Sequence, residues 1–179
     1  MSHEPTLHSE RIYEGKILSL RVDTVQLRSG GRTKREIVEH GSCTAIVALD
    51  SDDNVLLVRQ YRKAVEKMLL EIPAGGIEDG EDPLDGARRE LEEETGFAAE
   101  RWEKLGYFYT SPGFCTEAMY LYLAAGLKSA ERDADDDEDI EVVRVPLKKT
   151  LELMASGEIC DAKSIAGLLM VVRSARQRG

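Results

Sequence analysis

The chain has 179 residues, 42% hydrophobic and 32% charged, enough for one sizeable core or one domain with a small appendage. Its net charge of −10 argues against a polyanionic partner, because a nucleic-acid polymer is ordinarily met by a basic stripe. No apolar stretch is long enough to span a bilayer, the start Met1-Ser2-His3-Glu4-Pro5 is polar rather than signal-like, and Cys43, Cys115 and Cys160 read as widely spaced reduced thiols. A cytoplasmic protein with no membrane partner is expected.

The first forty residues read as strands. Residues 11–21 and 22–27 have alternating or β-branched character, Ser29-Gly30-Gly31-Arg32 is a hairpin signal, and 33–40 would return as a strand. A second block follows, with strands at 44–49 and 54–59 around a turn at 50–53. Residues 69–73 lead into a glycine loop and then a short acidic helix. Strands are expected near 102–110, 118–125 and 140–145, and helices over 147–155 and 162–176. Ile165, Leu168, Leu169 and Val172 share one face of the last helix and are assigned to the core. These patterns divide the chain into an N-terminal β unit, 1–40, and a main domain, 41–179.

The acidic helix carries four glutamates, Glu90, Glu92, Glu93 and Glu94, within five positions. Asp82 is a plausible N-cap, Pro83 suits the first helical position and Gly96 the C-terminal left-handed one. Arg88 and Arg89 lie four residues before Glu92 and Glu93, so each pair is expected within the helix. Glu90 and Glu94 have only each other, or Glu93, as charged neighbours at that spacing. A like-charged pair there costs roughly 0.2–0.5 kcal/mol, small enough for a solvated acidic face. The sharper reading is a hard cation bridging the two carboxylates.

Gly75, Glu81, Arg89, Glu90, Leu91, Glu93, Glu94, Gly96 and Phe97 match every fixed position of the Nudix box. The chain resembles a Nudix hydrolase, a family that cleaves nucleoside diphosphates linked to another moiety. The resemblance implies an α+β fold, a Nudix-type α/β/α sandwich with a mixed central sheet, here with a small N-terminal β-sheet unit. It also implies Mg²⁺, with Mn²⁺ as the alternative, held by Glu90, Glu93, Glu94 and the carbonyl of Ala74. Arg89 is expected to orient Glu93, and Glu81 to act as a structural or outer-shell carboxylate. RNA decapping, another chemistry of the family, is disfavoured by the charge.

Two flanking segments narrow the resemblance to the ADP-ribose pyrophosphatase subgroup. Leu70-Glu71-Ile72-Pro73-Ala74-Gly75 precedes the box, and Pro112, in Ser111-Pro112-Gly113, lies sixteen residues beyond Gly96. Carried over position by position, Arg62 would contact phosphate, Gly76 would offer backbone, and Ser111 and Glu117 would line the terminal-ribose pocket. Ile17, Arg35 and Glu36 match adenine-contacting positions, which the subgroup takes from a partner subunit. A homodimer with exchanged N-terminal strands follows by analogy. The alternatives are packing for Ile17 and a cross-strand surface pair for Arg35 and Glu36. His40 stands where some relatives have arginine.

The three histidines lie away from the box, so a carboxylate must help water lose its proton. Glu138 aligns with the loop glutamate that serves some relatives as base and is favoured over Glu93; Glu94 belongs to the catalytic set as a ligand. The run 131–139 around Glu138 otherwise reads as a solvated loop, since it lacks the central glycine of an EF-hand. The expected reaction is Mg²⁺-dependent hydrolysis of ADP-ribose to AMP and ribose 5-phosphate. The alternatives are a different nucleoside diphosphate sugar, such as GDP-mannose, or a non-catalytic nucleotide-sensing module.

Overall fold

A computed structural model describes residues 4–130 and 140–178. Two compact units are present: Met1–Ser42 with Tyr109–Ala118, and Cys43–Phe108 with Met119–Gly179.

The first unit is built on a three-stranded antiparallel sheet, β1 (Thr6–Glu14), β2 (Leu18–Gln26) and β3 (Arg32–His40), in the order β1-β2-β3. The expected hairpin forms, with the Leu27 N–H donating to Gly31 O at 2.8 Å. The expected strand over 11–21 does not. It breaks at a tight turn in which Gly15 N–H donates to Leu18 O at 3.0 Å, and Ile17 stands on that turn. The segment Tyr109–Ala118 docks along β3, where Val38 N–H donates to Phe114 O at 2.7 Å and Thr116 N–H to Val38 O at 3.0 Å.

The second unit is a mixed sheet with helices on both faces. Its strands are β4 (Cys43–Leu49), β5 (Asn54–Arg62), β6 (Lys67–Glu71), β7 (Ala74–Gly76), β8 (from Phe97–Tyr109), β9 (from Ala118–Ser129) and β10 (Glu141–Pro146). Their order is β10-β5-β4-β9-β8, with β6 added to β5 and β7 to β4. β4 and β9 run parallel and the other described pairings are antiparallel. β5 extends to Arg62, beyond the expected end, because β6 continues the ladder to Arg62↔Lys67.

The period-two alternation of β4 explains the layers. Ala45 and Val47 face a cluster with Leu57, Ile72, Leu121, Ile159, Leu168 and Val171. Ile46 and Ala48 face the other way, onto Leu56, Ala87, Leu91, Tyr122 and Ala124. The first cluster is covered by α3 (Ala162–Arg178) and the second by α1 (Pro83–Thr95). Between β10 and α3 run a 3-10 turn, Leu147–Lys149, and α2 (Thr150–Ser156). On α3 the buried face is Leu168 and Val171, flanked by Ile165 and Val172, whereas Leu169 is exposed. Leu169 lies about 100° around the helix from Leu168, off that stripe. Among the described residues no helix is long and apolar enough to cross a membrane.

Candidate active site

α1 begins and ends on the expected residues. Asp82 accepts a hydrogen bond from Leu84 N–H at 2.9 Å, Pro83 occupies the first turn, and Gly96 closes the helix at φ 70°. That left-handed conformation strains any residue with a Cβ. Leu91 and Ala87 bury one side of α1 against the sheet, leaving Glu90 against Gly75 of the glycine loop and Glu93 beside Arg89.

Arg89 organises that face. Its Nε and Nη2 donate to the two oxygens of Glu81, each at 3.1 Å, and Nη1 donates to Glu90 Oε1 at 2.7 Å and Glu93 Oε2 at 2.9 Å. Nη2 also donates to the carbonyl of Gly76 at 2.8 Å. All the N–H directions of the planar fork are engaged. The Glu81 hydrogen bonds, against the opposing effect of partial burial, raise the Arg89 pKa strongly, with Glu90 and Glu93 adding to the effect. Glu81 is in turn held below its ordinary value by Arg89 and by the Glu78 N–H, which donates to it at 2.9 Å. The pairing expected between Arg88 and Glu92 is replaced by Arg88 to Asp85 at 2.7 Å, three residues back. Glu90 has a cation beside it after all, its neighbour in sequence.

Glu94 is buried, and its Oε2 accepts from Ala74 N–H at 3.0 Å. Glu94 therefore fixes the residue whose carbonyl was expected to serve as a ligand. Gly75 follows, and a Cβ built on it would lie 2.1–2.2 Å from the Glu90 carboxylate atoms. Only a glycine lets the loop pass this close to Glu90. Hydrogen bonds and close packing thus link Ala74 to Glu94, Gly75 to Glu90, and Glu90 and Glu93 to Arg89, with Glu81 and Gly76 on the same guanidinium. The ligand atoms that Ala74, Glu90, Glu93 and Glu94 offer are all oxygens, the set a hard divalent cation takes.

Arg62 is elsewhere than expected in its contacts. Its Nε and Nη2 donate to the buried carboxylate of Glu71 at 3.1 and 2.8 Å, and Lys163 Nζ donates to the same carboxylate. Asp161 accepts from Lys163 Nζ and from Ser164 N–H, each at 3.0 Å. Burial favours the neutral form of Glu71, but the Arg62 hydrogen bonds and the Lys163 charge outweigh it and hold the pKa below the ordinary range. Sequence reasoning missed Glu71, Lys163 and Ser164; the one signal was an acid between apolar Leu70 and Ile72 at a strand end.

The remaining substrate-binding expectations fall in the first unit. Ile17 is exposed on its turn, Glu36 pairs in register with Val22, and Arg35 donates to Glu4 through Nε at 3.0 Å and Nη2 at 2.7 Å. Arg35 thus pairs with the chain start, not with Glu36. Glu117 accepts from Thr110 Oγ1 at 2.5 Å, with His40 Nδ1 3.8 Å from its other oxygen. Ser111 O caps the Pro112-Gly113 turn by accepting from Phe114 N–H at 3.1 Å and Cys115 N–H at 2.9 Å. Glu138 lies outside the described residues.

The sequence matches the NUDIX domain over residues 39–166 and the nucleoside diphosphate sugar hydrolase N-terminal domain over residues 4–38. An ADP-ribose pyrophosphatase of Bacillus subtilis (strain 168) is 44% identical over 163 residues, 90% of this chain and 88% of that protein. A methanol dehydrogenase activator of Bacillus methanolicus is 43% identical over 164 residues, 90% of this chain and 89% of the relative. A solved structure described as an ADP compounds hydrolase superposes with a TM-score of 0.90 at 24% identity, covering 100% of this chain and 97% of the other. At that identity the likeness speaks for the fold.

Proposed function

This chain belongs to the Nudix family, and on that premise we propose that it hydrolyses the pyrophosphate bond of ADP-ribose, giving AMP and ribose 5-phosphate. The observation that carries the reading is the Arg89 fork, which gathers Glu81, Glu90, Glu93 and Gly76 beside Ala74 and Glu94. The 44% identity to an ADP-ribose pyrophosphatase over nearly the whole chain supports the substrate.

Glu90, Glu93, Glu94 and the Ala74 carbonyl would hold Mg²⁺ or Mn²⁺. Such an ion neutralises the pyrophosphate and acidifies water when bound. Arg89 restrains one oxygen each of Glu90 and Glu93, so these carboxylates enter the reaction already oriented. Glu94, with one oxygen on Ala74 N–H, couples the helix to the loop. Glu138 takes the proton from the attacking water, with Glu93 as the alternative base. Arg62 contacts phosphate, Gly76 contributes backbone, Ser111 and Glu117 line the terminal-ribose pocket, and Ile17, Arg35 and Glu36 meet the adenine.

We assign the adenine contacts to the N-terminal unit of a second copy, in a homodimer with exchanged strands. Every residue of β1 is exposed, Leu7, Ile12 and Tyr13 among them, and a large apolar side chain on a wholly exposed strand favours a covering partner. Cytoplasmic residence fits Cys43, Cys115 and Cys160 as thiols not joined in disulfides.

The test is hydrolysis of ADP-ribose, GDP-mannose and ADP-glucose in ¹⁸O-labelled water with Mg²⁺, products read by mass spectrometry. AMP and ribose 5-phosphate, one of them carrying the label, with ADP-ribose turned over fastest, is the expected result. Equal or faster turnover of GDP-mannose assigns the broader sugar-nucleotide activity instead. Intact substrates throughout would sink the enzymatic reading.

A further inference from the structure

We propose that the first turn of α3 is a positioning device for the metal-bearing loop, with Ser164 and Lys163 as positioning residues. The inference rests on the site assigned above. Three consecutive residues enter that site, and three different elements fix them. Ile72 N–H donates to Ser164 Oγ at 2.9 Å, Pro73 O accepts from Ile46 N–H at 2.9 Å, and Ala74 N–H donates to Glu94 Oε2 at 3.0 Å. The first belongs to α3, the second to β4 and the third to α1. Pro73 has no N–H, so the Ile72 amide is the last donor by which the chain can be anchored before Ala74.

Both Ile72 and Ser164 are fully buried. Without the Ser164 hydroxyl, the Ile72 N–H would be left in the core without that partner, a costly state that the backbone relieves by moving. A shift there reaches the Ala74 carbonyl two residues on. Lys163 acts on the residue before, donating to the buried carboxylate of Glu71. Asp161 holds both in place, since it accepts from Lys163 Nζ and Ser164 N–H. The Lys163–Glu71 contact spans 92 residues of sequence, so α3 bears directly on the strand that delivers the loop. Ligand arrays tolerate displacements of only about 0.5 Å before affinity suffers. The plain alternative is that α3 adds stability and nothing else, in which case folded variants bind metal as the parent does.

Mn²⁺ binding to the full chain, without substrate, separates the two. Ser164→Ala and Lys163→Met are titrated with Mn²⁺ by electron paramagnetic resonance, with circular dichroism confirming the fold and kcat and KM measured in parallel. The expected result is a rise in Kd of about fivefold or more for each, a fall in kcat larger than the change in KM, and recovery in Lys163→Arg. Folded variants that bind Mn²⁺ within about twofold of the parent overturn the positioning role while leaving the site reading intact. Should Ser164→Ala fail to fold, the less buried Lys163→Met decides. A parent protein with no Mn²⁺ affinity removes both the site reading and this inference.

Discussion

A Cβ on Gly75 would stand 2.1 Å from the carboxylate carbon of Glu90. The obstacle is the far end of a flexible side chain rather than backbone, so Gly75→Ala moves the Glu90 carboxylate and not the loop. Holding that side chain off its rotamer costs about 1 kcal/mol, and any weakening of its bond from Arg89 adds to that. The expected outcome is a small loss of thermal stability with Mn²⁺ affinity weakened by about tenfold or more. Calorimetric titration checks the second and a melting curve the first.

Glu94→Gln separates the two jobs of Glu94. The amide oxygen of glutamine still accepts from Ala74 N–H, so the loop stays where it is. The negative charge is lost. Turnover should fall by about two to three orders of magnitude, since an ion held in an active site supplies several kcal/mol of charge stabilisation. Melting temperature should stay near the parent value, because the bond from Ala74 N–H and the side-chain volume are kept.

The box helix was legible because its caps are local: Asp82, Pro83 and Gly96 act within a turn of themselves. Residues 44–49 were legible as a strand, but the layers came only with the resemblance; that β4 is buried on both faces is seen once sheet and helices are assembled. The turn at Gly15 was passed over because Tyr13 and Leu18 continue a strand-like pattern across it, and an isolated glycine inside such a pattern marks a bulge as readily as a turn. Arg88 was assigned to Glu92 because spacing alone cannot choose between partners ahead and behind; the structure takes Asp85. Arg89 was read as a partner of Glu93, and it is, but its bonds to Glu81 and Gly76 need the loop folded back onto the helix. The Glu71–Lys163 contact joins residues too far apart for any local pattern to reveal.

Arg89→Lys tests the fork. Lysine offers three donors from one point and cannot span Glu81, Glu90, Glu93 and Gly76 O together. Losing two charge-assisted bonds costs about 1.5–3 kcal/mol each before relaxation, and partial exposure of Arg89 brings the expected net loss to about 2 kcal/mol. Metal affinity should fall as well, because Glu90 and Glu93 lose their restraint. Urea unfolding and Mn²⁺ titration on one preparation measure both.

Glu138→Gln examines the assigned base. A carboxylate that only accepts a proton can be lost without disturbing the ligands, so Mn²⁺ affinity should match the parent while kcat drops by about 10²–10⁴. A parent-like kcat moves the base to Glu93.

Glu71 contributes to the acid sensitivity of the fold. Its pKa in the fold lies below the ordinary 4.5, through the hydrogen bonds from Arg62 and the charge of Lys163 acting against burial. For a depressed carboxylate the stabilisation is complete above the unfolded value and is lost as pH falls through the folded one. Glu71→Gln keeps the shape and removes the charge, leaving Lys163 facing an amide. Breaking a buried pair from one side costs about 3–5 kcal/mol, and the partly exposed Arg62 places this case at the low end, about 3 kcal/mol. Urea unfolding at pH 7, 5, 4 and 3 should show that gap undiminished at the two higher values. Below about pH 4.5 the parent should lose stability more steeply than the variant, and the two curves should converge as Glu71 takes up its proton. A gap that stays constant to pH 3 would mean that folding does not lower the Glu71 pKa.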